Sequence, residues 1–195
     1  MPKISYEGSL MLLNKVAPRD TIYTIGYGNR DVKIFIALLK RYKTEFVIDI
    51  RSSAYSRYNE AFSQVPLQEE LRENGIRYVS MGEQLGGRPK DNTCYTNGKV
   101  DYEKVETKNF YKAGIGRLET ALQKQLNVVL MCSELRPEQC HRSKLIGQTL
   151  NKKGIEVAHI DEKGIIRSQL YVISRLNNGQ LSMFEQTFTS RKAYR

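Results

Sequence analysis

NVVLMCSELRPEQCHRSKLIGQTLNKKG, residues 127–154, reads as a buried strand, a polar turn and a helix. Residues 128–131 are continuously apolar, as a strand covered on both faces of a parallel sheet requires. Leu145, Ile146 and Leu150 then recur at helical spacing, and Gly154 supplies the stop. The turn between them holds two of the three cysteines, Cys132 and Cys140, and one of the two histidines, His141. Glu134, Arg136 and Arg142 sit among them. An active site in this chain is expected here.

The same alternation extends outward in both directions. Residues 21–25 (TIYTI), 46–50 (FVIDI), 76–81 (IRYVSM) and 155–160 (IEVAHI) read as further strands. Between them, Asp31 is placed to cap a helix carrying Ile34, Phe35, Leu38 and Leu39. Pro66 opens another helix that Gly75 ends, and Ile115, Leu118, Leu122 and Leu126 mark a third. Strands and helices in alternation predict an α/β fold of the doubly wound, Rossmann/flavodoxin-like kind. Its sheet would have five mostly parallel strands with helices on both faces. The expected organisation is an N-terminal extension (1–20), an α/β domain (21–165) and a C-terminal tail (166–195).

In such sheets ligands sit beyond the carboxyl ends of the strands. That edge gathers the turn at Gly26, Tyr27 and Gly28, the run from Asp49 through Arg51, the loop with Gly86, Gly87 and Arg88, and the turn from Cys132 to Arg142.

The chain has 195 residues and is 40% hydrophobic, enough for one domain with its own core and with no run long enough to span a membrane. An odd cysteine count argues against a disulfide framework, and no signal peptide is read at the N-terminus. A cytoplasmic protein is therefore expected. The formal charge of +10 points to anionic partners, nucleic acid or a nucleotide.

Backbone N–H groups near Gly26, Gly28 and Cys140, with Arg142, are candidates to hold a phosphate. Arg51, Gly86, Gly87, Arg88 and Tyr27 would complete that subsite. Asp49 or Glu134 could act as general base, and Cys140 or His141 as nucleophile or acid. Asp49 has a second reading, as the salt-bridge partner of a neighbouring arginine. Cys132 reads as a core residue, whereas Cys140 is open between core and nucleophile. Pro137 places Cys140, His141 and Arg142 near the first turn of a helix. Adjacent Cys and His side chains diverge there, and the usual CxxC or HxxxH spacing is absent, so neither metal nor other cofactor is expected. Tyr55, Tyr58, Tyr95, Tyr102 and Tyr111 interleave with cations, a pattern suited to stacked bases or to pinning long loops.

TIGYGN (24–29), DIRSSAYSRY (49–58), LGGRP (85–89) and CSELRPEQCHR (132–142) together resemble the family catalogued as domain of unknown function 488. The resemblance implies a doubly wound α/β domain with these segments in a shared pocket, and no established reaction. A fainter resemblance, in VVLMC followed by HRSKLIG, is to rhodaneses and Cys-based phosphatases, implying sulfur or phosphoryl transfer. In the tail, QLSMF is similar to the bacterial sliding-clamp-binding pentapeptide. That likeness makes Gln180, Leu181, Met183 and Phe184 candidate partner-binding residues and implies work beside DNA repair machinery. The leading expectation is a nucleotide- or nucleic-acid-binding protein in DNA maintenance, as a hydrolase or transferase. A Cys-dependent transferase and a non-catalytic DNA-binding adaptor are the alternatives.

Overall fold

The computed structural model of the chain describes residues 21–177 and 188–194. The expected N-terminal extension and the clamp-like stretch from Gln180 to Phe184 lie outside these. In chain order the strands are β1 (Thr21–Gly26), β2 (Phe46–Asp49), β3 (Arg77–Ser80), β4 (Tyr95–Thr96), β5 (Lys99–Val100), β6 (Val128–Cys132), β7 (Glu156–Ile160) and β8 (Ile166–Ser168). The helices are α1 (Val32–Arg41), α2 (Gln64–Glu73), α3 (Gly82–Leu85), α4 (Tyr102–Glu106), α5 (Asn109–Gln123), α6 (Gln148–Lys152) and α7 (Gln169–Ser174). No helix among the described residues is long and apolar enough to cross a membrane.

The main sheet has the order β3-β2-β6-β1-β7-β8, and β4 and β5 form a separate antiparallel hairpin. The five strands anticipated from the pattern are all present and mutually parallel. The count is corrected to six, because β8 adds to β7 in the antiparallel sense. At three residues, β8 is too short to display a period-2 pattern. It and α7 also carry the sheet assembly past the expected boundary at residue 165.

Alternate residues of each strand serve opposite faces. Tyr23, Ile25, Val47, Val129 and Met131 pack with Phe35, Ile36 and Leu39 of α1 and Leu67 and Leu71 of α2. Ile22, Ile48, Val128 and Leu130 pack on the other side with Ile115 and Leu118 of α5 and with Leu145, Ile146 and Leu150. Each fully buried large apolar side chain contributes about 1.5–3 kcal/mol. The capping expectation for α1 holds: the Asp31 carboxylate accepts the Lys33 N–H at 2.7 Å.

The path of the chain positions the site. From β1 through β2 to β3 it steps in one direction, with α1 and α2 on one face. From β3 through β6 to β7 it steps back, with α5 and α6 on the other face. Opposite directions on opposite faces give both runs the same hand, as a uniform crossover rule requires. Because β6 inserts between β1 and β2, the strand order differs from both the Rossmann and the flavodoxin orders. The neighbours β1 and β6 therefore send their connections to opposite faces and leave a crevice at their carboxyl ends.

Beside that crevice, inside the core, His159 of β7 lies 2.7 Å from Thr24 Oγ1 and 2.6 Å from Gln169 Oε1. Burial pushes its pKa down to about 3. The folded state thus keeps His159 neutral, while the unfolded chain takes up a proton below the ordinary value of about 6.5. Stability is lost as pH falls through that value, by about 2 kcal/mol from this residue between pH 7 and pH 5. Urea unfolding at both pH values should show this loss in the wild type and a smaller one in His159→Gln. An identical loss in the variant would refute the assignment.

Candidate functional site

β6 ends in the crevice at Cys132. The chain then crosses over Gly26, turns through a 3₁₀ segment at Pro137–Gln139 and reaches Cys140 in extended conformation (φ −116°, ψ 150°). A π-helical stretch, Arg142–Gly147, follows and runs on into α6. The helix therefore does not start at Pro137, and this corrects the expectation that Cys140 and His141 diverge. With Cys140 extended, both side chains swing back toward Cys132.

The outcome is a cluster of Cys132, Glu134, Cys140 and His141 whose donor atoms all lie within 4.8 Å of one another. Glu134 Oε2 is 2.9 Å from Cys132 Sγ and 3.3 Å from Cys140 Sγ. His141 Nδ1 is 3.8 Å and 3.6 Å from the same two sulfurs. The other ring nitrogen, Nε2, lies 3.2 Å from the Ile50 carbonyl at the end of β2. A carbonyl can only accept, so the proton of a neutral ring belongs on Nε2 and the Nδ1 lone pair faces the sulfurs. Gly87 lies against the imidazole: a Cβ there would meet Nδ1 at 2.7 Å. Hence a glycine is needed in the LGGRP loop.

The electrostatics of the cluster are strongly coupled. Burial pushes the Cys132 thiol well up, and its contact with Cys140 adds to the effect. Burial also acts to raise the Glu134 carboxyl, but His141, the two thiols and a backbone N–H outweigh it and hold the group at about 2. For His141, burial opposes the charge while Cys132 and Glu134 favour it, and the net direction is upward.

Above the cluster opens a cavity of about 330 Å³ lined by Tyr27, Arg51, Ser52, Ser53, Tyr55, Gly87, Arg88, Tyr102, Cys132, Ser133, Glu134, Gln139 and His141. Its remaining wall is Ser190, Arg191, Lys192 and Tyr194, from the C-terminal segment. That segment is fastened by Ser190 N–H to Val100 O and Tyr194 N–H to Gly98 O, and the Lys144 ammonium donates to Thr189 O. Arg88 stacks over the Tyr194 ring at 5.3 Å. Sequence reasoning missed this wall, since residues 188–194 carry no periodicity or motif that would bring them back to the sheet.

The family model described as domain of unknown function DUF488 matches residues 31–148, more than half of the chain. The chain belongs to this family. No curated protein and no solved structure matches it. The DUF488 match takes in Asp49, Arg51, Gly86 to Arg88 and the whole run from Cys132 to Arg142. It leaves outside both the Gly26–Gly28 turn and the C-terminal wall.

The other anticipated site residues of this DUF488 chain divide between the cavity and its scaffold. Asp49 does not face the cavity. It accepts from Arg51 Nη2 at 2.6 Å and from Tyr78 Oη at 2.7 Å, with the Asp49 and Arg51 side chains only 1% and 4% exposed. Of its two readings, the geometry matches the salt-bridge partner. Arg51 Nη1 donates to Phe62 O, and Nη2 also approaches Ala54 O, so its donors are spent within the protein. Arg51 forms cavity wall without presenting free donors. Gly86 packs on Ser52, whose Oγ accepts the Arg88 N–H at 2.8 Å, joining two of the anticipated loops.

Of the groups expected to cradle a phosphate, those at Gly28, Cys140 and Arg142 have partners within the protein. The Gly28 N–H donates to Ser133 O and the Cys140 N–H to Pro137 O. Arg142 is wholly buried, its guanidinium bonded to the Glu134 and Leu135 carbonyls. The Gly28 and Cys140 N–H groups and the two Arg142 Nη atoms are thus used in shaping the turn, while Arg142 Nε is buried without a partner among the described residues. Arg88, Arg191 and Lys192 are the exposed cations on the cavity.

Proposed function

We propose that the cavity binds the phosphate of a nucleotide, free or at the end of a nucleic-acid strand, and presents it to the Cys132–Glu134–Cys140–His141 floor for hydrolysis or transfer. The observation that carries this reading is the convergence of Arg88, Arg191 and Lys192 on one small, polar opening directly over that floor. Among the described residues none of the three has a carboxylate partner, and together they outnumber Glu134. The volume, about 330 Å³, suits a ligand of mononucleotide size. Tyr55, 71% exposed at the rim, offers a face on which a base could stack.

Transfer through a Cys-based anion loop is less well supported. The Glu134 carboxylate lies against both sulfurs, where a tetrahedral anion would have to sit, and Arg142 is turned away from the opening. The adaptor reading depends on Gln180 to Phe184 and draws on sequence alone, as does a place in DNA maintenance.

Isothermal titration with a nucleoside monophosphate and with a 5′-phosphorylated oligonucleotide tests the proposal. Charge-assisted hydrogen bonds contribute about 1.5–3 kcal/mol each, so Arg88→Ala and Arg191→Ala should each weaken binding about tenfold or more. Affinity should also fall as salt rises. Unchanged affinity in both variants would contradict the reading.

A further inference from the structure

We infer that Cys132, Glu134, Cys140 and His141 form a binding site for a single zinc ion at the floor of the cavity. The inference stands on the geometry of the four side chains and does not depend on the nucleotide reading.

Zinc bonded to thiolate at about 2.3 Å and to imidazole at about 2.0–2.1 Å in a tetrahedron implies sulfur–nitrogen edges of about 3.5 Å. The His141 Nδ1 to sulfur distances, 3.6 Å and 3.8 Å, already lie near that edge. The carboxylate contacts, 2.9 Å and 3.3 Å, are shorter than the corresponding sulfur–oxygen edge of about 3.6 Å, and the Glu134 side chain must draw back by about 0.7 Å from Cys132 and about 0.3 Å from Cys140 around an ion. Two sulfurs, one imidazole and one carboxylate form a donor set that zinc prefers and that magnesium or calcium does not. All three cysteines are free thiols, so none is diverted into a disulfide.

The surroundings supply what a metal site needs beyond its donors. A ligating histidine characteristically donates its second ring N–H to a carbonyl or carboxylate, which fixes the tautomer. His141 has the Ile50 carbonyl in that position. The residues flanking the donors are held as well: Ser143 Oγ donates to Pro137 O at 2.6 Å, and Arg142 clamps the Glu134 and Leu135 carbonyls. The donor atoms are thus positioned by backbone that is already bonded, which lowers the ordering cost of binding.

On binding, the two thiols give up their protons to solvent and coordinate as thiolates. Of the four donors, Cys132, Glu134 and His141 line the cavity while Cys140 lies behind them. Glu134, the one donor left partly exposed, is the ligand a water or substrate oxygen would replace. The ion would then keep two cysteines and one histidine, a set known from catalytic zinc sites.

The full-length protein, purified without chelator, is measured for metal by plasma mass spectrometry alongside Cys140→Ser, His141→Ala and the control Cys94→Ser. The wild type and Cys94→Ser are expected to hold about one zinc per chain, and the other two variants to lose it at least tenfold with circular dichroism retained. Equal zinc in all four would overturn the inference. If the variants do not fold, cobalt titration of the metal-depleted wild type decides. A thiolate-to-cobalt charge-transfer band with tetrahedral ligand-field absorption supports the site, and its absence at equimolar cobalt overturns it. Neither readout uses a nucleotide, so failure of the phosphate reading leaves this result unaffected.

Discussion

Asp49→Asn is expected to lower the free energy of unfolding by about 3–5 kcal/mol, the cost of leaving a buried charge without its partner. The Asp49–Arg51 pair is almost wholly screened from water, with side chains 1% and 4% exposed and a 2.6 Å contact. Burial opposes the Arg51 charge, but the Asp49 hydrogen bonds outweigh it and raise its pKa above the ordinary arginine value. Asp49 also accepts the Arg51 backbone N–H at 3.0 Å and the Tyr78 hydroxyl. The variant should therefore loosen the turn of Ser52 and Ser53 that lines the cavity, and weaken ligand binding as well as the fold. Replacing both partners together, Asp49→Leu with Arg51→Met, removes the stranded charge and should cost less than either single change. Urea unfolding reads the single and double variants alike. A single-variant loss below about 1 kcal/mol would mean that the pair is solvated and that the account of Asp49 as scaffold is wrong.

Gly26→Ala is expected to cost about 3 kcal/mol or more, at or beyond the upper end of overpacking effects. A Cβ at this position would lie 1.8 Å from the Glu134 carbonyl oxygen and 2.5 Å from Arg142 Nη1. The first of these is backbone, held by Arg142, and cannot yield as a flexible side-chain tip would. The turn that carries Glu134 must move, and the four-residue cluster with it. Gly116 in α5 is the natural control, because nothing lies within 4 Å of an added Cβ there. Gly116→Ala should be neutral or stabilising by up to about 1 kcal/mol, through higher helix propensity. Thermal unfolding of the two variants side by side tests the contrast, and comparable behaviour would show that the β1 turn does not need its glycine.

How much of this was visible in the residues depends on where each signal lives. The central strands announce themselves: residues 128–131 are apolar without interruption, and 46–50 are apolar but for Asp49, because both faces of the sheet are covered. Helix ends at Gly75 and Gly154, both at positive φ, were equally plain, since only glycine adopts that conformation without strain. The position of β6 between β1 and β2 was not readable, because strand order depends on which face each crossover takes, not on local pattern.

The site followed the same division. Gathering Asp49, Gly87, Glu134 and His141 at one edge follows from strand ends alone. Convergence of Cys132 with Cys140 depends on the extended backbone of one residue, Cys140, where proximity to Pro137 had suggested helix. Roles were legible only as residue types. Asp49 and Arg142 have the chemistry of a base and an anion binder, and both are occupied in holding the scaffold. Arg191 and Lys192 supply cations that strand and helix periodicity could not locate.

The central claim is that the crevice between β1 and β6 is a phosphate-binding site over the Cys132–Glu134–Cys140–His141 floor. The most direct test is a crystal structure of the full-length protein grown with a saturating nucleoside monophosphate. The account predicts the phosphate within hydrogen-bonding distance of Arg88 and Arg191, facing His141 and Glu134. An empty crevice, with the nucleotide bound elsewhere or not at all, would contradict it.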